Sequence, residues 1–341
     1  MNINVISKHR NEMMGFAALW IYFFHEWKNI FESFRICRLI QRVITCIGFC
    51  GVDIFFILSG IGLVFSIRKN STWVFYKNRF KRLFLPYLIM NVLYAIALHR
   101  GFKEALYYFS GLRFLVENVY GMLWYLQFIL FVYLLFPLYW KVFKKASNKM
   151  LFTIGCIGIW FVIALIFKDG SRQDAYIAIN RIPVFFVGVL WGDKLQSDED
   201  AKCSHSTYFF FGSMLFVGMY LEYLFNFKDV SPISWPLSNV LYCIFIAVGL
   251  CGLLPNLLEW LEHRKLRIHK AVKGVLKFFG MISLEFYCVQ EMIGAIFTMG
   301  VFTESTSPHI LNVTIFSVSV IAAFALYKLN VIVMKNFRML N

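Results

Sequence analysis

The chain has 341 residues, of which 60% are hydrophobic, 19% aromatic and only 16% charged. That balance excludes an ordinary soluble domain, and apolar stretches recur over so much of the length that no separate soluble domain fits between them. The formal charge of +15 would suit a nucleic-acid partner, but the basic residues stand in short clusters between apolar segments, a pattern that membrane topology explains and a nucleic-acid surface does not.

Taken in chain order, ten spans are predicted, at 12–28, 47–66, 83–99, 120–140, 150–167, 177–193, 207–226, 235–254, 277–298 and 309–330. The expected fold is all-α, a polytopic membrane helical bundle forming one integral-membrane domain over 1–341. The first apolar segment lacks a small-residue cleavage site and runs into charged loop residues, so it is expected to stay as a helix. Segment 103–118 is too charged to span and reads as an interfacial helix. Gly188 and Gly192 form a GxxxG in the sixth span, which points to close helix approach. With the N-terminus in the cytoplasm, about twice as many Lys and Arg fall on that side as on the other, so both termini are expected inside. The eight cysteines contain no CxxC pair and lie mostly within apolar segments, so neither a metal site nor a disulfide framework is expected.

Polar groups inside the apolar runs carry the chemistry. The first span, GFAALWIYFFHEW, ends on His25, and the second, GFCGVDIFFILSG, contains Asp53. An ionised carboxylate at membrane depth costs roughly 2.5–3.5 kcal/mol on insertion scales and needs a partner. Antiparallel spans put both residues near the outer end, so an Asp–His pair is available. Such a pair can act as a general base, the carboxylate orienting the imidazole, or it can be a structural hydrogen bond between two helices. His99 and His309 also sit near outer span ends but have no carboxylate close in sequence, and read as solvated interfacial residues.

On the cytoplasmic side, 66–88 gathers Arg68, Lys69, Lys77, Arg79, Lys81 and Arg82. These residues can obey the positive-inside rule and meet anionic lipid. Alternatively they form a phosphate site, since Arg79 and Arg82 are three apart and share a helix face. Trp124 and Tyr125 open the fourth span, where an aromatic belt and sugar stacking are both open readings. Arg181 begins the sixth span and Glu285 lies within the ninth; facing inward, they would join His25 and Asp53 in one outward polar cavity, and facing each other they would serve packing.

Six blocks in order resemble the acyltransferase 3 family of integral-membrane O-acyltransferases: the first-span His25, GVDIFFILSG at 51–60, FYKNRFKRLFLPY at 75–87, LWYLQFILFVYLLFPL at 123–138, RIPVFFVGVLWG at 181–192 and ISLEFYCVQ at 282–290. The resemblance covers nearly the whole chain. It implies about ten helices, a cytoplasmic acyl-CoA donor, transfer to a sugar hydroxyl at or across the membrane, and His25 as the catalytic histidine. Two positions depart from the family's pattern. Many members have an arginine where this chain has Met14, with Arg10 one turn earlier on nearly the same face, and many have a histidine where this chain has Gln290.

The expected function is therefore transfer of acetyl from acetyl-CoA, a co-substrate rather than a bound cofactor, to a cell-surface or lipid-linked polysaccharide at the bacterial cytoplasmic membrane. His25 and Asp53 are the expected catalytic residues, Arg79, Arg82, Lys81 and Arg10 the donor site, and Trp124, Tyr125, Arg181, Glu285, Gln290 and Ser59 the acceptor cavity. A transporter or flippase for a lipid-linked glycan would use the same buried charges without covalent chemistry. A catalytically degenerate member of the family is the third reading, raised by Met14 and Gln290.

Overall fold

Apolar runs of this length leave the backbone one economical way to satisfy its hydrogen bonds away from water, and the chain takes it. The computed structural model describes residues 4–26, 35–36, 38, 41, 46–111, 123–166, 177–197, 205–228, 230–231, 237–264, 267–298 and 307–339, and these form helices and turns without a strand. In chain order the helices are α1 (Asn4–Lys8), α2 (Arg10–Glu26), α3 (Cys50–Lys69), α4 (Thr72–Ala97), α5 (Phe102–Phe109), α6 (Trp124–Phe143), α7 (Lys149–Ile166), α8 (Ile182–Ser197), α9 (His205–Glu222), α10 (Ser238–His263), α11 (Arg267–Met281), α12 (Ser283–Ile296) and α13 (Pro308–Met339). The turn after α9, Tyr223–Phe227, widens into a π-helix.

Among the described residues, seven helices are long and apolar enough to cross a membrane: α3, α4, α6, α7, α9 with its π turn, α10 and α13. The first, sixth and ninth expected spans fall short of that standard. The helix α2 has 17 residues and α8 has 16. The ninth expected span, 277–298, begins within the last turn of α11, breaks at Ile282 and continues as α12, and these helices have only 15 and 14 residues. The third span begins earlier than expected. Ser71 caps α4 by accepting from the Val74 amide at 3.4 Å, so the basic stretch from Thr72 onward is helix and not loop. Only the first part of the expected interfacial helix is described, as α5; residues 112–118 lie outside the described residues.

The centre of the bundle is α3, where every residue from Cys50 to Ile61 is buried. It packs against α2, α4, α6, α8 and α10. The GxxxG of α8 makes the close approach expected of it. A Cβ added to Gly192 would lie 2.9 Å from the Ile61 Cα, one added to Gly60 would lie 2.7 Å from the Phe185 carbonyl, and Gly188 faces the Ile57 backbone with no room for one. On the other side, α2 rests on α11 and α12, and α12 on α13. The outer helices expose apolar side chains, as a surface against hydrocarbon requires: Leu151, Ile154 and Ile163 on α7, Phe209 and Phe216 on α9, Val313 and Ile321 on α13. One end of the bundle is tied by charge. Asp193 holds both Arg68 and, at 2.7 Å, Lys149. Lys8 holds Glu259 at 2.7 Å, a hydrogen bond that raises the lysine pKa above its ordinary value.

Candidate active site

Where α2, α3, α4, α6, α11, α12 and α13 converge they leave a cavity of about 460 Å³. Its charged lining is all basic: Arg10 from α2, Arg79 and Arg82 from α4. The three guanidinium groups are not equivalent. Arg82 is neutralised, its Nη1 and Nη2 lying 2.5 and 3.2 Å from the two oxygens of Glu285, a carboxylate on α12 with no solvent exposure. Asn330 of α13 adds a third hydrogen bond to that carboxylate at 3.3 Å. Arg79 donates from Nη2 to the Gly62 carbonyl at 3.1 Å and lies over the rings of Phe75 and Tyr133. Arg10 passes over the bare Cα of Gly62, its Nη2 3.1 Å from where a Cβ would stand. Neither Arg10 nor Arg79 meets a carboxylate among the described residues, each leaves a buried Nε without a hydrogen-bond partner, and the two repel one another. Two uncompensated guanidinium groups facing one cavity are a site for an anion, phosphate above all.

Polar neutral groups complete the wall. Asn11, Ser59, Tyr125, Tyr133, Ser283 and Tyr287 face the same space, and Met14 lines it one turn from Arg10. Thus the position where the family commonly has arginine and the arginine this chain carries open on one cavity. Tyr125 packs edge-on against Tyr287 with centroids 5.2 Å apart and lies 5.9 Å from the Phe55 ring, which closes the cavity with aromatic rings.

His25 lies beyond that closure, at the end of α2. Its Nδ1 is 3.2 Å from the Gln290 amide nitrogen and 3.2 Å from Oε1 of Glu291, both on α12. On α12, Gln290, which touches the imidazole, lies about one helical turn, roughly 5 Å along the axis, past Tyr287 of the cavity wall. The helices are held in this register by Tyr22 packing on Phe286 at 5.4 Å.

The expected pairing of His25 with Asp53 is not what the structure contains. Asp53 is completely buried, and its Oδ2 accepts from Arg181 Nη1 at 2.5 Å. A fully desolvated carboxylate is better matched by a permanent guanidinium charge than by an imidazole, and the tight contact of α8 with α3 brings that guanidinium alongside. The expected common cavity of His25, Asp53, Arg181 and Glu285 is likewise divided: Asp53 pairs with Arg181, Glu285 with Arg82, and His25 with neither acid. Tyr125 and Ser59 do line the basic cavity, and Gln290 does touch the histidine. Trp124 is buried with only 4% exposure and does not line the cavity, so it is not in an exposed aromatic belt. Lys81 is also absent from the cavity lining. His99 and His309 are exposed, as expected. Glu291 and Asn330 went unremarked in the sequence; only their position next to or opposite the ISLEFYCVQ block could have drawn attention to them.

A family model described as an acyltransferase domain matches residues 13–328, nearly the whole chain. The chain belongs to the acyltransferase 3 family. No significant match occurs among curated proteins or among solved structures. Membership and the apolar helices together make this a multi-pass membrane acyltransferase.

Proposed function

We propose that this acyltransferase moves acetyl from acetyl-CoA to a hydroxyl of a cell-surface or lipid-linked glycan at a bacterial cytoplasmic membrane, with both termini inside. The observation that carries the reading is the pair Arg10 and Arg79, two guanidinium groups that face a cavity without a carboxylate partner among the described residues. A donor bearing phosphates supplies the missing negative charge. The polar walls at Ser59, Tyr133 and Ser283 suit the amide and hydroxyl groups of an extended arm. The thioester end of that arm then points toward the Tyr125–Tyr287 closure, with His25 on its far side.

The chemistry follows from those roles. His25 takes the proton of the acceptor hydroxyl, and the oxygen attacks the thioester carbonyl carbon. As the carbon–sulfur bond breaks, the imidazolium returns the proton to the CoA sulfur, so the base is regenerated and nothing else is consumed. A positioned base of this kind contributes about 10²–10⁴-fold to the rate. Mass spectrometry of surface glycans from cells with the intact chain, without it, and with His25→Ala tests the reading. A mass difference of about one acetyl group that requires both the chain and His25 is the expected result. Identical glycans in all three would overturn it.

A further inference from the structure

We propose that Glu291 is the positioning residue for His25, fixing the imidazole in the tautomer whose Nε2 is free to accept the proton. The proposal rests on the acyl-transfer reading above and adds to it the group that makes this histidine a base. Three observations carry it. The Glu291 carboxylate lies 3.2 Å from Nδ1 of the ring, on a neighbouring helix and not on the histidine's own. No hydrogen bond engages Nε2 among the described residues. Both side chains keep some exposure, 17% and 15%, so an acceptor hydroxyl can reach the ring while the carboxylate stays partly desolvated.

The neighbouring amide agrees with this tautomer. Gln290 is completely buried, and with its nitrogen toward the ring its Oε1 is left without a partner. Turning the amide by half a revolution brings that oxygen to Nδ1, so the amide oxygen and the Glu291 carboxylate face one ring nitrogen together. Two acceptors can share only a nitrogen that carries hydrogen. Nδ1 is therefore the protonated position of the neutral ring, and the lone pair is on Nε2. When Nε2 takes the acceptor's proton, the ring gains a full charge next to the Glu291 carboxylate, which stabilises the imidazolium. Asp53 cannot do this, since its charge is committed to Arg181.

Two measurements on the full-length chain test the assignment. Native membranes carrying each variant are supplied with labelled acetyl-CoA, and label entering the endogenous glycan is followed as donor concentration is varied. Glu291→Gln should lower kcat by at least about tenfold, and by no more than the roughly 10²–10⁴-fold that loss of the base itself would cost, with the KM for acetyl-CoA unchanged. Glu291→Asp should recover part of the lost turnover and Glu291→Ala none. Wild-type kcat in Glu291→Gln, or a rise in KM alone, overturns the proposal. The second measurement needs no turnover: diethylpyrocarbonate modification of His25 in the purified protein at about pH 8, where the neutral ring reacts, read by peptide mass spectrometry. Glu291→Gln should slow modification of His25 several-fold while the exposed His99 and His309 react at wild-type rates. Equal His25 rates refute the role of Glu291. Membranes in which wild type and His25→Ala incorporate the same label refute the acyl-transfer reading instead, and leave the modification rates to decide on Glu291.

Discussion

Breaking the Asp53–Arg181 pair should damage the fold and spare the chemistry, the reverse of what a catalytic Asp–His pair would do. The contact is 2.5 Å long, Asp53 has no exposure and Arg181 only 5%. Asp53→Asn leaves a buried guanidinium uncompensated; Arg181→Met leaves a buried carboxylate whose Oδ1 already lacks a partner. Removing one member of such a pair costs about 3–5 kcal/mol. Unfolding entropy of about 2.1 cal/mol/K per residue gives about 0.7 kcal/mol/K for a chain of this size, so each single variant should lose about 4–7 °C in Tm. The double variant Asp53→Leu/Arg181→Met removes both charges and should recover most of that loss, since apolar replacement of a whole buried pair is neutral or stabilising. Thermal unfolding of the purified protein in detergent, run as a double-mutant cycle, measures the coupling, and glycan acetylation in cells measures function. The expected double variant is folded and acetylates at close to the wild-type level. A double variant with wild-type Tm and acetylation reduced by about 10²-fold or more would show Asp53 acting on His25, and the separation of roles argued above would fall.

Arg10→Ala and Arg79→Ala should each weaken CoA binding roughly 10- to 150-fold, the worth of one hydrogen bond to a charged group, with little change in Tm; calorimetry with CoA and with CoA lacking its 3′-phosphate reads both the loss and the phosphate responsible. If both variants bind CoA as tightly as wild type, the cavity is not the donor site. Gly188→Leu should abolish assembly of the α3–α8 contact, because the Ile57 backbone already occupies the space a side chain would need; fluorescence-detected size exclusion would show aggregation or loss of the monodisperse peak, and a normal peak would contradict the packing.

How far the sequence could be read follows from what each signal encodes. Length and hydropathy encode depth, so α3, α6, α7, α10 and α13 were legible, as was the close approach at Gly188 and Gly192, where the missing side chains are themselves the message. Depth also made an Asp53–His25 pair look natural. Direction around a helix axis is set by packing between segments far apart in the chain, and it decided against the pair: Arg181 is 128 residues from Asp53 and reaches it because α8 lies tight on α3. The same limit hid Glu291, which follows Gln290 and faces a histidine 266 positions earlier in the numbering. The break at Ile282 was hidden for another reason. Apolar content continues from Phe278 through it, while Arg267, Lys270, Lys273 and Lys277 mark the preceding stretch as an amphipathic helix that ends inside the expected span.

The charges inside the bundle bring these two limits together. Asp53 is cancelled by Arg181, Glu285 by Arg82 and Asp193 by Arg68 and Lys149, each a pairing across helices that no spacing rule would give. Among the described residues, Arg10 and Arg79 then face the cavity without a carboxylate, and His25 lies against Glu291 and Gln290 on the other side of the aromatic closure. Two guanidinium groups held together in a low-dielectric interior repel one another, and an anion bound between them would offset that repulsion. On the proposed function, a phosphate-bearing donor would do two things when it bound: it would supply the acyl group, and it would relieve the repulsion between Arg10 and Arg79. On this argument donor binding should raise Tm in the wild type and do so less in Arg10→Ala, where the repulsion has already been removed along with part of the site.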